Sequence, residues 1–273
     1  LIREEQIRDT RLSDTVCHLK TDAPLFFDIE TTGLGWRSSH AYLIGVLFRR
    51  ESVWILRQYF LDHPFAEKEL LQEFSAFLKT LPETTAVHYN GSTFDIPYLR
   101  AKYAFYGLPL PLQLEEGSLD LLTSFRPLKT MLGLPGMKQK DLETFLGIPR
   151  KDRFSGGQLI SLYQEYLQSG SEELLDLFYL HNEEDVLGMT GILPLYALRD
   201  LQMGKFLIRD KAFSDQAFRI SLELSGSVPM LLFCQNDLYR GVLEKDLLQL
   251  EIPLKKGEMK HFFKEILGLK GIY

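Results

Sequence analysis

The sequence predicts an α/β fold with a mixed sheet: three antiparallel strands come first, α/β crossovers follow, and a small, mainly β appendage ends the chain. Three apolar runs occur early, beginning at Pro24, Ala41 and Ser52. Apolar runs bounded by turn residues are typical of strands, and the short RES gap before the third run is typical of a hairpin. Between residues 64 and 81 the apolar residues instead recur at helical spacing, and short strands and helices alternate after that.

The remaining elements of this domain follow in chain order. Residues 1–23 mix charged and apolar side chains, which predicts a leader segment with one short helix. We predict short strands for TTAVHYN and GSLDLLTSF, and between them a helix for FDIPYLRAKYAFYG. Helices are then predicted for DLETFLG and LISLYQEYLQSG, followed by one long helix over residues 171–198 with Ser171 as its N-cap.

The composition pattern changes after about residue 205. Strands are predicted for AFRISLELSG, VPMLLFCQ and LLQLEIPLKKGEMKHFF, with a hairpin turn at KKG inside the last. We therefore expect a domain over residues 1–205, including the leader 1–23, and a small β-rich appendage over residues 206–273. Because the chain begins with Leu1 and ends in the apolar GIY, we expect the appendage to be truncated.

Composition excludes several classes of protein. The chain has 273 residues and a net charge of −6, no apolar run approaches the length of a membrane span, and LIREEQIRDTRLSD is too charged for a signal peptide. Cys17 and Cys234 lie far apart, which argues against a structural zinc site and indicates a reducing, cytoplasmic setting. The acidic balance argues against a protein that coats nucleic acid, but it allows a carboxylate site whose charge is offset by bound cations.

The first chemical motif is FFDIETTGL. Asp28 and Glu30 lie two residues apart on a predicted strand, so their side chains point to the same face. Two carboxylates at the end of a very apolar strand cost free energy through desolvation and repulsion unless a cation binds them. Taken alone, the pair also fits an ordinary solvated strand end.

Two further motifs carry acids. In HYNGSTFDIPYL, a strand runs into Asn90 and a helix begins at Asp95, which alone would fit a simple N-cap. In LHNEEDVLGM, His181 and Asp185 are four residues apart on a helix and share one face, which alone would fit a surface contact. The neighbouring Glu184 is expected to be solvated.

The three motifs in this order resemble those of the DEDD exonucleases, which have a ribonuclease H-like fold. DIETTGL resembles their first motif, NGSTFD their second and HNEED their third, and the segments MKQKDLETFLGI and SGGQLISLYQEYL are similar to the YprB-type branch. The resemblance covers roughly residues 22–200. One position departs from it: His181 stands four residues before Asp185, where one class has Tyr, while Leu180 takes the place of the other class's His.

The resemblance implies a site with two divalent ions, Mg²⁺ or Mn²⁺, and oxygen ligands suit such hard ions. It implies four metal ligands, which are Asp28, Glu30, Asp95 and Asp185. It implies that His181 acts as the general base or orients the attacking water. It also implies a set of substrate-binding positions, which are Thr31, Thr32, Leu34, Asn90 and Lys140. Lys140 also fits a solvated helix lysine, and Asp120 fits either an auxiliary acid or a helix cap.

The function expected from the resemblance is a metal-dependent 3′→5′ exonuclease on single-stranded DNA or RNA that releases nucleoside monophosphates. Two alternatives remain open: a structure-specific endonuclease, and a nucleic-acid-binding scaffold with weak or no catalysis. We expect nucleic acid as the partner and no association with a membrane. The preference for DNA or RNA, protein partners and the role of residues 206–273 remain open at this point.

Overall fold

The computed structural model describes residues 1–8, 11–19, 21, 23–114 and 117–254. The chain forms two compact units: residues 1–123 with 138–191, and residues 124–137 with the segment from residue 192 onward. The predicted domain boundary at residue 205 stays a prediction. None of the described helices is long and apolar enough to cross a membrane.

The first unit contains a six-stranded mixed sheet. Its strands are β1 (Ile2–Ile7), β2 (Pro24–Thr31), β3 (Ala41–Arg50), β4 (Val53–Phe60), β5 (Thr85–His88) and β6 (Leu119–Asp120). Their order across the sheet is β1-β4-β3-β2-β5-β6. β2, β3 and β4 form the predicted antiparallel meander, and β5 and β6 add in parallel beside β2. The predicted α/β, ribonuclease H-like fold class is confirmed, with the first motif on a central strand.

The leader differs from the expectation in one respect. Its short helix, α1 (Arg11–Val16), is present, but β1 also pairs antiparallel with β4 along its whole length. This strand was not predicted, because the side chains of its charged REEQ segment are largely exposed and show no alternating apolar pattern. Charged side chains are common on edge strands, where they discourage pairing with other molecules.

Helices cover the faces of this sheet. They are α2 (Glu67–Leu78), α3 (Asp95–Phe105), α6 (Gln139–Phe145), α7 (Gly156–Ser169) and α8 (Glu172–Gly191). In chain order two short helices come before α6: α4 (Leu121–Phe125) and, within the second unit, α5 (Leu128–Met131). Helix α8 packs against β2 and β3. Aromatic rings fill part of this core: Tyr42 stacks on Tyr163 with centroids 4.5 Å apart and meets Phe178 edge-on at 5.6 Å. A fully buried side chain of this size contributes about 1.5–3 kcal/mol, so this packing holds α7 and α8 against β3.

The single long helix predicted over residues 171–198 is wrong. Helix α8 ends at Gly191, and a separate helix, α9 (Leu195–Gln202), begins after Pro194. Proline lacks the backbone N–H that a continuous helix needs, and its ring clashes with the preceding turn.

The second unit contains a three-stranded antiparallel sheet, which confirms a small, mainly β appendage. Its strands are β7 (Phe206–Phe213), β8 (Ala217–Gln235) and β9 (Arg240–Pro253), and α9 packs on β8. Two predicted strands are therefore one long strand, and β7 was not predicted. The predicted turn at KKG lies outside the described residues.

Candidate active site

Strand β2 carries the first two acids of the site. Asp28 and Glu30 alternate with the buried Phe27 and Ile29, so both carboxylates emerge on the face that helix α8 covers. Asp28 lies opposite Gly45 in the antiparallel register with β3.

The turn after β5 places Asp95 beside strand β2. Asn90 adopts a left-handed conformation with φ +64°, and its backbone N–H donates to Asp120 Oδ1 at 3.0 Å. Helix α3 then begins at Asp95, whose Oδ1 accepts the backbone N–H of Ile29 at 3.3 Å. The second motif is thus fixed against the backbone between Asp28 and Glu30.

Helix α8 brings the third motif onto the first. His181 Nε2 lies 3.2 Å from Glu30 Oε1 and 3.3 Å from Asp185 Oδ2. One residue further on, Asn182 Nδ2 donates to Asp28 Oδ2 at 3.0 Å. Residues from all three motifs therefore meet at one place on the sheet.

Burial and mutual repulsion act on these acids. Burial raises the pKa of Asp28 well above its usual range, and the nearby charges of Asp185, Glu30 and Asp95 raise it further. Burial likewise raises the pKa of Glu30, and it raises the pKa of Asp95 to about 7. Such a cluster holds its negative charge poorly unless a cation shares the site.

The donor set fits hard divalent ions. Ligand atoms of Glu30, His181 and Asp185 all lie within 4.8 Å of one another. The Asp28 carboxylate accepts a hydrogen bond from Asn182, the residue after His181, and the Asp95 carboxylate accepts the backbone N–H of Ile29, the residue before Glu30. Carboxylate oxygens are the ligands that Mg²⁺ and Mn²⁺ prefer. The residues present therefore suit the ions that the sequence led us to expect.

A buried acid outside the three motifs orients His181. Asp152 Oδ2 lies 2.7 Å from His181 Nδ1, while Asp152 Oδ1 accepts the Phe154 N–H at 3.0 Å. Burial alone would lower the pKa of His181, but the hydrogen bond to Glu30 and the charges of Glu30, Asp185 and Asp152 outweigh it and raise the pKa. Because Nδ1 is bound to Asp152, the nitrogen that faces the acid cluster is Nε2.

Arg150 similarly holds Asp185. Its Nη2 donates to Asp185 Oδ1 at 2.6 Å, and its Nη1 contacts both carboxylate oxygens of the buried Glu143 at 3.2 and 3.0 Å. Glu184, which we expected to be solvated, instead accepts the backbone N–H groups of residues 151 and 152 at 2.8 and 3.0 Å. The segment PRKDRF thus lies against α8 and supports its two site residues.

Sequence reasoning missed Arg150, Asp152, Glu143 and Asn182. Asn182 stands inside the third motif, directly after His181, so its position was the one available indication. Glu143 lies in MKQKDLETFLGI, which was recognised only by its similarity to the YprB-type branch, and a dense run of charge in PRKDRF is all that distinguishes Arg150 and Asp152.

Three of the predicted substrate-binding residues, Thr31, Thr32 and Leu34, lie at or just after the end of β2. The Thr31 hydroxyl donates to the Gly33 carbonyl at 3.0 Å, and the Thr32 hydroxyl accepts the His40 N–H at 2.9 Å. Leu34 is 85% exposed in the loop that follows Glu30. These contacts shape the loop beside the site, and the roles toward substrate stay predictions.

Asn90 and Lys140 both make internal contacts. Asn90 Oδ1 accepts the Thr93 hydroxyl at 2.7 Å within the turn that leads to Asp95. Lys140 Nζ donates to Asp152 Oδ2 and to the Phe154 carbonyl, each at 3.2 Å. Lys140 is therefore bound to the acid that orients His181, which differs from the freely solvated lysine considered above.

The structure also shows the contacts of Asp120 and the burial of the aromatic residues of α3. Asp120 accepts the backbone N–H of Asn90 and of Leu122, each at 3.0 Å, and so fixes two turns. Tyr98 and Tyr103 are buried in the core, whereas Phe105 is 66% exposed.

Gly45 makes room for Asn182. In the sheet register Gly45 lies between Asp28 of β2 and Gln58 of β4, and Asn182 bridges these two side chains across it. Gln58 Nε2 donates to Asn182 Oδ1 at 3.0 Å. A Cβ atom at residue 45 would lie only 1.9 Å from Asn182 Oδ1.

We therefore expect Gly45→Ala to displace Asn182 and to lower the free energy of unfolding by about 1–3 kcal/mol, as overpacking of a core does. Urea unfolding of the metal-free protein measures this. Gly156→Ala is the matched control, because no atom lies within 4 Å of its added Cβ and alanine suits a helix. Equal stability of the two variants would contradict the tight fit at Gly45.

Comparison with known proteins agrees with this geometry. Residues 25–195 match the family model described as the RNase_H superfamily. Because the match covers more than half of the chain, the protein belongs to the ribonuclease H superfamily.

A particular relative is also similar: the uncharacterized protein YprB of Bacillus subtilis (strain 168). It is 32% identical over 169 residues, which are 61% of this chain and 40% of the relative. The chain thus spans less than half of that relative's length. The predicted resemblance to the ribonuclease H-like superfamily and its YprB-type branch is confirmed.

Among solved structures, the chain is similar to the family B DNA polymerase of Pyrobaculum calidifontis, with a TM-score of 0.49, 16% identity, and coverage of 66% of this chain and 26% of the polymerase. E. coli Exonuclease I in complex with a dT13 oligonucleotide gives a TM-score of 0.39 and 14% identity, covering 61% of this chain and 45% of that one. An ExoI/SSB-Ct complex gives 0.39 and 14%, covering 82% and 56%.

Proposed function

We propose that this protein is a metal-dependent 3′→5′ exonuclease that hydrolyses single-stranded nucleic acid to nucleoside monophosphates. The observation that carries this is the meeting of Asp28, Glu30, Asp95 and Asp185, which come from three motifs far apart in the chain, at one face of the central strand. Buried acids gathered in this way are costly for stability and suited to binding cations.

The four carboxylates would hold two ions, Mg²⁺ or Mn²⁺. When bound, such ions lower the pKa of a water molecule and offset the charge on the leaving oxygen. Asn182 would keep the Asp28 carboxylate aimed at the site, since it donates to one of its oxygens and leaves the other available. Arg150 would do the same for Asp185, because it binds Oδ1 while Oδ2 faces His181.

His181 would accept the proton of the attacking water at Nε2. Asp152 fixes the ring by its contact with Nδ1, and this contact favours the tautomer that carries hydrogen on Nδ1. In that tautomer the Nε2 lone pair is directed at the acid cluster. Bound cations would offset the charges of Glu30 and Asp185 that raise the pKa of His181 and so favour this neutral form. The arrangement of acid, imidazole and reacting oxygen follows the general logic of a histidine base oriented by a carboxylate.

The test uses single strands labelled at the 5′ end and incubated with Mn²⁺ or with EDTA. We expect a ladder of progressively shortened labelled products in Mn²⁺ and intact strands in EDTA. One dominant internal fragment would instead support the structure-specific endonuclease. Intact strands in Mn²⁺ that still bind the protein would support the non-catalytic scaffold and contradict the proposal.

A further inference from the structure

Two aromatic rings, those of the half-buried Trp36 and the exposed Phe105, form a pair on the two segments that follow Glu30 and Asp95 in the chain. Trp36 lies in the loop of residues 32–40, which directly follows β2, and Phe105 is the last residue of α3. Their ring centroids are 6.2 Å apart with an interplanar angle of 59°. Phe105 is 66% exposed. The guanidinium of Arg37 lies over the Trp36 ring, 4.5 Å from its centroid.

The loop that carries Trp36 is firmly held. The Ser39 hydroxyl contacts the Tyr98 hydroxyl at 2.8 Å and donates to the Gly35 carbonyl at 2.8 Å. The buried ammonium of Lys102 donates to the carbonyl of Ser39. An aromatic side chain on such a rigid loop offers contact area to a ligand at little cost in conformational entropy.

The two segments that carry these rings contain no acidic side chain of their own. The protein carries a net charge of −6, yet residues 31–40 and residues 96–106 contain no aspartate or glutamate. Both segments carry exposed arginines, Arg37 and Arg100. The two segments directly follow Glu30 and Asp95 in the chain, and both of these residues are acids of the cluster. A polyanion that leaves the acid cluster along these segments would therefore meet their arginines and aromatic rings and no carboxylate of the segments themselves.

We propose that Trp36, Arg37 and Phe105 form a stacking surface for unpaired bases of the nucleic acid strand that enters the active site. Aromatic faces bind bases of any sequence, and a guanidinium beside them binds phosphate or stacks in turn. The surface would hold the strand a few nucleotides from the cleaved bond, because α3 extends roughly 15 Å from Asp95 to Phe105 at 1.5 Å per residue. This inference rests on the proposed function and names the surface that would select a single strand.

The fluorescence of Trp36 itself measures the binding of a strand. The chain has two tryptophans, and the other, Trp54, is only 5% exposed. In the full chain carrying Trp54→Phe, fluorescence reports on Trp36 alone. An oligothymidylate of about 16 nucleotides, titrated in EDTA so that no cleavage occurs, is expected to quench this fluorescence in a saturable manner. A duplex of the same length is expected to quench weakly, because its bases are already paired.

Variants measure the contribution of each ring. With a dye-labelled oligothymidylate, Phe105→Ala and Trp36→Ala are each expected to weaken binding about 5- to 100-fold, the range found for single stacked bases. Phe233→Ala, which removes an aromatic residue that is 73% exposed in the second unit, is the control and is expected to bind normally. Losses no larger than that of the control, or equal quenching by duplex, would overturn the stacking surface.

The result is separable from the nuclease assay. Cleavage in Mn²⁺ without quenching in EDTA would overturn the stacking surface and leave the nuclease proposal intact. Quenching and ring-dependent binding without cleavage would support the stacking surface and contradict the nuclease proposal.

Discussion

Asp28→Asn is expected to abolish cleavage and, at the same time, to make the metal-free protein more stable. Asparagine keeps the shape of the side chain and an oxygen that can still accept the hydrogen bond from Asn182 Nδ2. What it removes is the negative charge. We expect a rate loss of at least about 10³-fold, because bound ions supply several kcal/mol of charge stabilisation and each 1.36 kcal/mol is tenfold in rate.

The gain in stability follows from the electrostatics of the cluster. Burial, together with the charges of Asp185, Glu30 and Asp95, raises the pKa of Asp28, so its ionised form is costly in the folded state. Removing that charge should raise the free energy of unfolding by about 1–2 kcal/mol near neutral pH, the usual size when a functional strain is relieved. The same change should remove the stabilisation that Mn²⁺ gives the wild type.

The pH dependence has a definite sign. A carboxyl group whose pKa is raised on folding keeps its proton longer in the folded state, so stability falls as pH rises through the interval between the two values. For Asp95 this interval runs from about 4, the ordinary value, to about 7. We therefore expect the melting temperature of the metal-free wild type to fall over this range, and to fall less in Asp28→Asn.

Thermal unfolding in EDTA and in Mn²⁺, together with the cleavage assay, measures all three effects. Glu183→Gln is the matched control: it removes an acid of helix α8 whose pKa burial also raises, but the charges that act on Glu183 are those of Glu5, Arg3, Glu184 and Lys151 rather than those of the cluster. The control should cleave normally and keep its Mn²⁺ stabilisation. An Asp28→Asn variant that cleaves at the wild-type rate would refute the metal assignment.

Sequence periodicity predicted which acids within a motif share a face, and the resemblance to the DEDD exonucleases predicted that the three motifs form one acid cluster. Asp28 and Glu30 share a face because strand side chains alternate, and His181 and Asp185 share a face because they are one helical turn apart. Asp95 could be placed because a polar turn precedes its helix. Local rules of this kind determined which side chains point together, and the sheet then brought the three local groups to one place.

The supporting contacts could not be predicted in the same way. Asp152 and His181 are 29 residues apart, and Gly45 and Asn182 meet only because the strand register and the position of α8 are both fixed. Strand β8 runs on through Gly226 and Pro229, which by local rules should end it, because register shifts beside them absorb the irregularity. Each of these features depends on tertiary packing.

A buried ion pair, also unforeseen, anchors the loop that carries Trp36. Glu67 is 0% exposed and Lys102 is 3% exposed, and Lys102 Nζ lies 2.8 Å from Glu67 Oε2. Glu67 Oε1 also accepts the Ala41 N–H at 2.8 Å, and Oε2 accepts the Tyr106 hydroxyl at 2.8 Å. The pair thus ties α2 and α3 to the end of the loop of residues 32–40. Replacing a buried pair by apolar residues is often neutral for stability, so we infer that this pair serves to fix the loop.

Lys102→Met is accordingly expected to lower the free energy of unfolding by about 3–5 kcal/mol, because it leaves the charge of Glu67 buried without its cation. The double variant Glu67→Gln/Lys102→Met should recover part of this loss, since no unpaired charge remains, and the double-mutant cycle measures the coupling. Lys68→Met, which changes an exposed lysine next to Glu67, should stay within about 0.5 kcal/mol of the wild type. If the double variant is as stable as the wild type but binds oligothymidylate more weakly in EDTA, the ion pair holds the loop for binding. If the loss in the double variant equals the sum of the losses in Glu67→Gln and Lys102→Met, the two side chains are not coupled, and the anchoring role assigned to the pair is wrong.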